Sequence, residues 1–164
     1  MPQIADPYEW AESILNTNKA SCSPKHYLLG FLFEKLGIRV KYMTYPFKWD
    51  KQPIKYTDEL MRLAQGSPIG YHSVCKAFID GKWILVDATW DLSLLKAGFP
   101  VNQNWDGVSP TLNAVVAFDE VAHENLQGRL DFVKDKRLLF TEEQKATYAL
   151  FIEKFNSWLG DLRR

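Results

Sequence analysis

The sequence predicts an α+β domain, and three observations carry that prediction. Helical spacing of apolar residues comes first along the chain, in two segments between Asp6 and Leu36. Strand-like segments then dominate the middle, two of them joined by Asp80-Gly81, a strong two-residue hairpin signal. A long amphipathic segment from Thr141 to Leu159 closes the chain. Helices first, strands next and a terminal helix differ from the strict alternation of a parallel α/β fold.

The first helix is expected to start at Asp6-Pro7-Tyr8-Glu9, with Asp6 as cap and Pro7 in the first turn, and to run to about Leu15. Asn16 to Ser21 reads as a polar turn. A second helix is expected from about Pro24 to Leu36, its apolar face made by Leu28, Leu29, Leu32, Phe33 and Leu36, with Gly37 as its stop. Ile38 to Tyr45, β-branched and aromatic, reads as a strand. The excursion from Pro46 to Gly70 carries one short helix near Asp58 to Gln65; it reads as a lid over a cleft or as a plain connection. Tyr71 to Ile79 and Trp83 to Ala88 are the hairpin strands. A short helix follows Asp91, then a Gly/Pro/Asn-rich loop through Pro110, then a strand over Asn113 to Phe118. Lys134-Asp135-Lys136-Arg137 reads as a solvated turn. Thr141 and Gln144 form a capping box, and Tyr148, Phe151, Ile152, Phe155 and Leu159 share one helical face.

With 164 residues, 46% hydrophobic and 24% charged, the composition is that of one globular domain rather than a disordered chain. Twenty basic residues balance twenty acidic ones, so no basic excess points to nucleic acid. No apolar run approaches the roughly 18 residues of a membrane span, and no secretory signal opens the sequence. Two cysteines make no disulfide framework, and the expected setting is a reducing cytoplasm. The oligomeric state is not encoded in any pattern here.

Cys22 falls where the polar turn gives way to the second helix. A thiol there feels the positive end of the helix dipole, which favours the thiolate. Taken alone, Cys22 reads more readily as a small buried hydrophobe, and His72 as a hydrogen-bonded structural histidine. Hairpin geometry joins His72 to a partner. A two-residue turn pairs Ile79 with Lys82, so paired positions sum to 161 and Val74 lies opposite Asp87. His72 and Asp87 are then diagonal neighbours on one face, roughly 7–8 Å apart at the backbone. A carboxylate at that position orients an imidazole and stabilises its protonated form. Cys75 has the opposite parity and is expected to pack among Ala77, Ile84 and Val86.

Nucleophile, base and orienting acid therefore occur in the order Cys22, His72, Asp87. Ala20-Ser21-Cys22 with the helix to Leu36-Gly37-Ile38-Arg39-Val40 resembles the cysteine region of the transglutaminase-like superfamily. Tyr71-His72 through Asp80-Gly81-Lys82-Trp83, then Val86-Asp87-Ala88-Thr89-Trp90, is similar to its histidine and aspartate strands. The likeness covers about residues 20–91, with 101–164 an extension of the same domain. Members often carry Gly just ahead of the cysteine and an aromatic residue two past the histidine; Ser21 and Val74 stand there in this chain. The resemblance implies a papain-like fold with the cysteine helix packed on an antiparallel sheet. It also implies thiol-based acyl chemistry on a peptide or amide substrate, by hydrolysis or by transfer, without a cofactor. The alternative from another class is a scaffold of the same fold that binds without catalysis.

Around this triad, Tyr71 and Trp90 are the aromatic residues expected to line a substrate cleft, while Trp49, Tyr56 and Trp105 read as cleft or core. The Cys22 backbone N–H is the natural first oxyanion donor. Asn16 and Asn18 lie upstream and read more readily as turn residues than as a second donor. His26, one helical turn past Cys22, faces the cleft, the core or solvent. His26, His72, His123, Cys22 and Cys75 are metal-ligand types, but none has a tight ligand spacing, and no metal is expected.

Overall fold

The computed structural model describes residues 6–17 and 19–164. It is an α+β structure in which helices pack on a four-stranded antiparallel sheet. Helices α1 (Pro7–Thr17) and α2 (Cys22–Lys35) precede β1 (Val40–Phe47). A 3-10 turn (Trp49–Lys51) and α3 (Asp58–Gly66) lead to the hairpin of β2 (Gly70–Ile79) and β3 (Lys82–Val86). After a second 3-10 turn (Leu92–Ala97) come β4 (Val121–His123), α4 (Leu126–Leu138) and α5 (Glu142–Leu162). The strand order is β3-β2-β1-β4. No helix among the described residues is long and apolar enough to cross a membrane.

The hairpin has the register that counting from its turn requires. Asp80 and Gly81 both take positive φ, 47° and 79°, as a two-residue turn of this hand demands, and Ile79 pairs with Lys82 and Cys75 with Val86. One sheet face carries Tyr42, Cys75, Ala77 and Val86 beneath α1 and α2. The other carries Met43, Tyr45 and Val74, packed against Leu85, Val115 and Ala117. A separate cluster joins α3, α5, the second 3-10 turn and the segment after it through Leu60, Ala64, Leu94, Phe99, Val101, Phe151, Phe155 and Leu159.

Several local expectations are corrected. Helix α2 begins at Cys22, two residues earlier than its apolar spacing suggests, and buries Pro24, His26, Tyr27, Gly30 and Phe33, while Leu32 and Leu36 are exposed. The reason is close approach: a Cβ on Gly30 would stand 2.5 Å from the Tyr42 hydroxyl, so α2 lies on the sheet through its glycine face. The 46–70 excursion is not a free lid, because Leu60 and Ala64 of α3 are buried against α5.

The strand expected over Asn113 to Phe118 does not form; only Ala117 bridges to Phe47. Its backbone donors go to side chains instead. Ala114 N–H donates to Asp87 and Val116 N–H to Gln52, at 2.8 and 2.7 Å. Lys134 to Arg137, expected as a turn, lie in α4. That helix starts from Asn125, whose side chain accepts the Gly128 N–H. The capping box of α5 is present, with Thr141 and Gln144 bonded reciprocally.

Candidate active site

Three segments converge at the site: the first residue of α2, the start of β2, and the residue following β3. His72 Nε2 lies 2.8 Å from Asp87 Oδ2, and both side chains are buried, at 3% and 1% exposure. The Cys22 thiol faces the same imidazole and the Ser73 backbone N–H, both of which act on its ionisation. With Nε2 engaged by Asp87, Nδ1 is the nitrogen left for the thiol. The structure thus brings Cys22 up to His72, which is itself hydrogen-bonded to Asp87. Cys22 as a residue is half-buried, whereas His72 and Asp87 are buried.

Asp87 is more tightly held than the hairpin alone predicts. Oδ2 accepts from His72 and from Ala114 N–H; Oδ1 accepts from Thr89 N–H at 3.0 Å and from the Thr89 hydroxyl at 2.6 Å. Its own N–H donates to Thr111 Oγ1, and its carbonyl accepts from Asn102 Nδ2. Bonds of this kind satisfy a buried carboxylate and fix its direction. Burial by itself would raise the Asp87 pKa; the hydrogen bond and charge of His72 oppose it and hold the carboxyl far below the usual range.

His26 is fully buried inside the site. Its Nδ1 lies 2.8 Å from the Cys22 carbonyl, and its Nε2 accepts the Ala88 N–H at 3.0 Å. This pattern fits the Nδ1–H tautomer, in which both ring nitrogens are satisfied and the 3.5 Å approach of Nε2 to Asp87 Oδ1 is a contact rather than a charged pair. His26 therefore ties the start of α2 to the strand end that carries Asp87. The i, i+4 spacing from Cys22 was the available signal, and it left the direction of the ring undetermined.

Burial also opposes ionisation of Cys22, yet the hydrogen bond and charge of His72, the Ser73 N–H and the charge of Arg129 together lower its pKa from 9.0 to about 6. Burial disfavours a charged His72, but Asp87 and Cys22 raise it from 6.5 to about 9. Between those values the pair is a thiolate facing an imidazolium. Cys75 is the opposite case. It is fully buried beside Tyr27 and Tyr42, donates to the His26 carbonyl at 3.1 Å, and burial raises its pKa far above that of an ordinary thiol. Its expected burial holds, although its packing partners come from α1, α2 and β1 as well as from its paired Val86.

Tyr71, half-buried, packs on Phe132 and Phe140. Trp90 donates its indole N–H to the Ala114 carbonyl and packs on Phe99 and Phe155, so much of its ring serves the α5 cluster. Trp49 and Tyr56 belong to that cluster too, and Trp105 bonds within its own loop. Asn16 is exposed in α1, and Asn18 lies outside the described residues. A groove of about 600 Å³ lined by Glu34, Arg39, Lys41, Trp83 and His123 lies apart from the triad, none of whose members lines it. Among the described residues no three His, Cys, Asp or Glu side chains form a cluster suited to a metal ion.

In comparisons with known proteins, no family model matches the chain, and no curated protein or solved structure is significantly similar to it.

Proposed function

We propose that the protein is a cysteine-dependent amide or peptide hydrolase that works through a thioester acyl-enzyme, on a papain-like core of the transglutaminase-like kind. The observation that carries this reading is the approach of the Cys22 thiol to the His72 imidazole, which is hydrogen-bonded to the buried Asp87. The likeness of residues 20–91 to transglutaminase-like motifs supports it.

In this reading the Cys22 thiolate attacks the substrate carbonyl carbon, forming the C–S bond. Negative charge then develops on the carbonyl oxygen, where the Cys22 backbone N–H, at the first position of α2 and free of an intrahelical partner, donates to it. The His72 imidazolium gives its proton to the departing amine as the C–N bond breaks. His72, now neutral, takes a proton from water, whose oxygen displaces the thiol from the thioester and releases the acid. Asp87 keeps the imidazole oriented and favours its charged form throughout. Transfer to an amine would replace the water step and would need a site that shields the thioester.

Labelling with a panel of peptidyl electrophiles, followed by peptide mapping, tests the assignment. An adduct on Cys22 at pH 7 that disappears in His72→Ala is expected. If Cys22 reacts only as an ordinary thiol, with an inflection near about 8.5, the protein is a binding scaffold. Incubating an amide donor with a primary amine separates the two outcomes of the acyl-enzyme: free acid is expected, and a predominant amine adduct would make the enzyme a transferase. Chelator treatment is expected to leave the reaction unchanged.

A further inference from the structure

Arg129 is the largest fully buried side chain among the described residues, at 2% exposure, and it has no carboxylate partner there. Its Nη1 donates to the Tyr27 hydroxyl, its Nη2 reaches toward the Tyr71 carbonyl at 3.5 Å, and its Nε has no hydrogen-bond partner. A guanidinium stays protonated in a protein, and burying one without an anion is costly. Such a group is kept either for a buried counter-charge or at a loss of stability.

The two residues that hold Arg129 point to the counter-charge. Tyr27 lies on α2, five residues after Cys22. Tyr71 directly precedes His72. Arg129 therefore touches the helix that starts with the thiol and the strand that carries the base. With Asp87 and Cys22 ionised and His72 protonated, the site carries one excess negative charge, and Arg129 brings one positive charge from α4.

We propose that Arg129, seated by Tyr27 and the Tyr71 carbonyl, is a positioning residue whose buried charge balances the Cys22 thiolate and sustains it at neutral pH. This rests on the reading of Cys22 as the nucleophile. The lowered Cys22 pKa, to which Arg129 contributes, is consistent with it. The other groups that face or act on Cys22 are Lys25 and His26 on α2, His72 on β2, Asp87 after β3, and Tyr148 on α5. Among these, Lys25 is only half-buried and lies in the field of Asp91, and His26 bonds the Cys22 carbonyl and the Ala88 N–H. His72 is already matched to Asp87. Arg129 is the buried cation left over.

The test follows the rate of Cys22 alkylation by iodoacetamide against pH, read by peptide mapping of the full-length protein. In Arg129→Gln the inflection is expected to rise by about one pH unit, making alkylation below the wild-type inflection about tenfold slower. Arg129→Lys, which keeps the charge, is expected to recover most of the shift. Tyr27→Phe, which removes the acceptor that seats the guanidinium, is expected to move the inflection in the same direction as Arg129→Gln. It serves as the deciding variant if Arg129→Gln does not fold. An unchanged inflection in folded Arg129→Gln, or in folded Tyr27→Phe when that variant decides, overturns the proposal while the triad stands. A wild-type inflection near that of a free thiol would instead overturn the nucleophile reading itself.

Discussion

Ala114 donates its backbone N–H to the Asp87 carboxylate at 2.8 Å, across 27 residues of sequence, on the same oxygen that receives His72. The acid of the triad is therefore fixed from two sides, by its own hairpin and by a loop that arrives later in the chain. This double hold sets what substitutions at the site should do.

Asp87→Asn removes the charge that keeps His72 protonated, and it places an amide where four donors converge on carboxylate oxygens. Turnover is expected to fall by about 10⁴, the scale on which triads lose activity when the acid is replaced by its amide. The Cys22 alkylation inflection should rise toward that of a free thiol. Near-normal kcat/KM in a folded variant would contradict the role given to Asp87.

The two cysteines should separate cleanly. Cys22→Ala is expected to abolish activity and low-pH alkylation while the far-ultraviolet circular dichroism stays that of the wild type. Cys75→Ala should keep both reactions and cost about 1 kcal/mol, measured by urea unfolding, for a small buried side chain and its bond to the His26 carbonyl.

Activity should follow a bell in pH. The rising limb is the Cys22 thiol ionising near about 6, and the falling limb is the His72 imidazolium deprotonating near about 9. Stability carries matching signs. The lowered thiol contributes stability that is complete above 9.0 and lost as pH falls through about 6. The raised imidazole contributes stability that is complete below 6.5 and lost as pH rises through about 9. Urea unfolding of wild type against Cys22→Ser from pH 5 to 8 should show a difference that grows with pH.

Gly30→Ala should be destabilising despite the better helix propensity of alanine, because the new Cβ would stand 2.5 Å from the Tyr42 hydroxyl. A loss of about 1–3 kcal/mol is expected, together with slower Cys22 alkylation, since α2 must lift from the sheet. Thermal unfolding and alkylation measured on one sample check both parts.

The hairpin was legible because a single dipeptide sets its register. Once Asp80-Gly81 is the turn, His72 and Asp87 follow by counting, and the observed pairing agrees. The buried face of α2 was legible only in part. Phe33 is buried and Leu28 and Leu29 pack against the core, but Leu32 and Leu36 are exposed, and apolar spacing does not pick out His26, Tyr27 and Gly30. Helix α4 was missed for a related reason: its buried residues are Arg129 and Val133, so its inner face includes a charge. The 113–118 segment has strand-like residues, but the acceptors for its N–H groups sit on Asp87 and Gln52, and only the tertiary structure brings them near. His26 was visible as a neighbour of Cys22, while its bond to the Ala88 N–H depends on how α2 meets the end of β3.

The loop that meets Asp87 gives the triad an uneven architecture. A fragment ending at residue 98 would retain Cys22, His72, Asp87 and every residue of the motif, yet it would lack Asn102, Thr111 and Ala114. It would also lose Phe99, Val101, Phe151, Phe155 and Leu159 of the α3/α5 core, so the aspartate would lose its clamps and its cover together. On the proposed function, the minimal reactive unit would be longer than the motif, and shortening the chain from its C-terminal side should extinguish Cys22 reactivity before Cys22, His72 or Asp87 is removed.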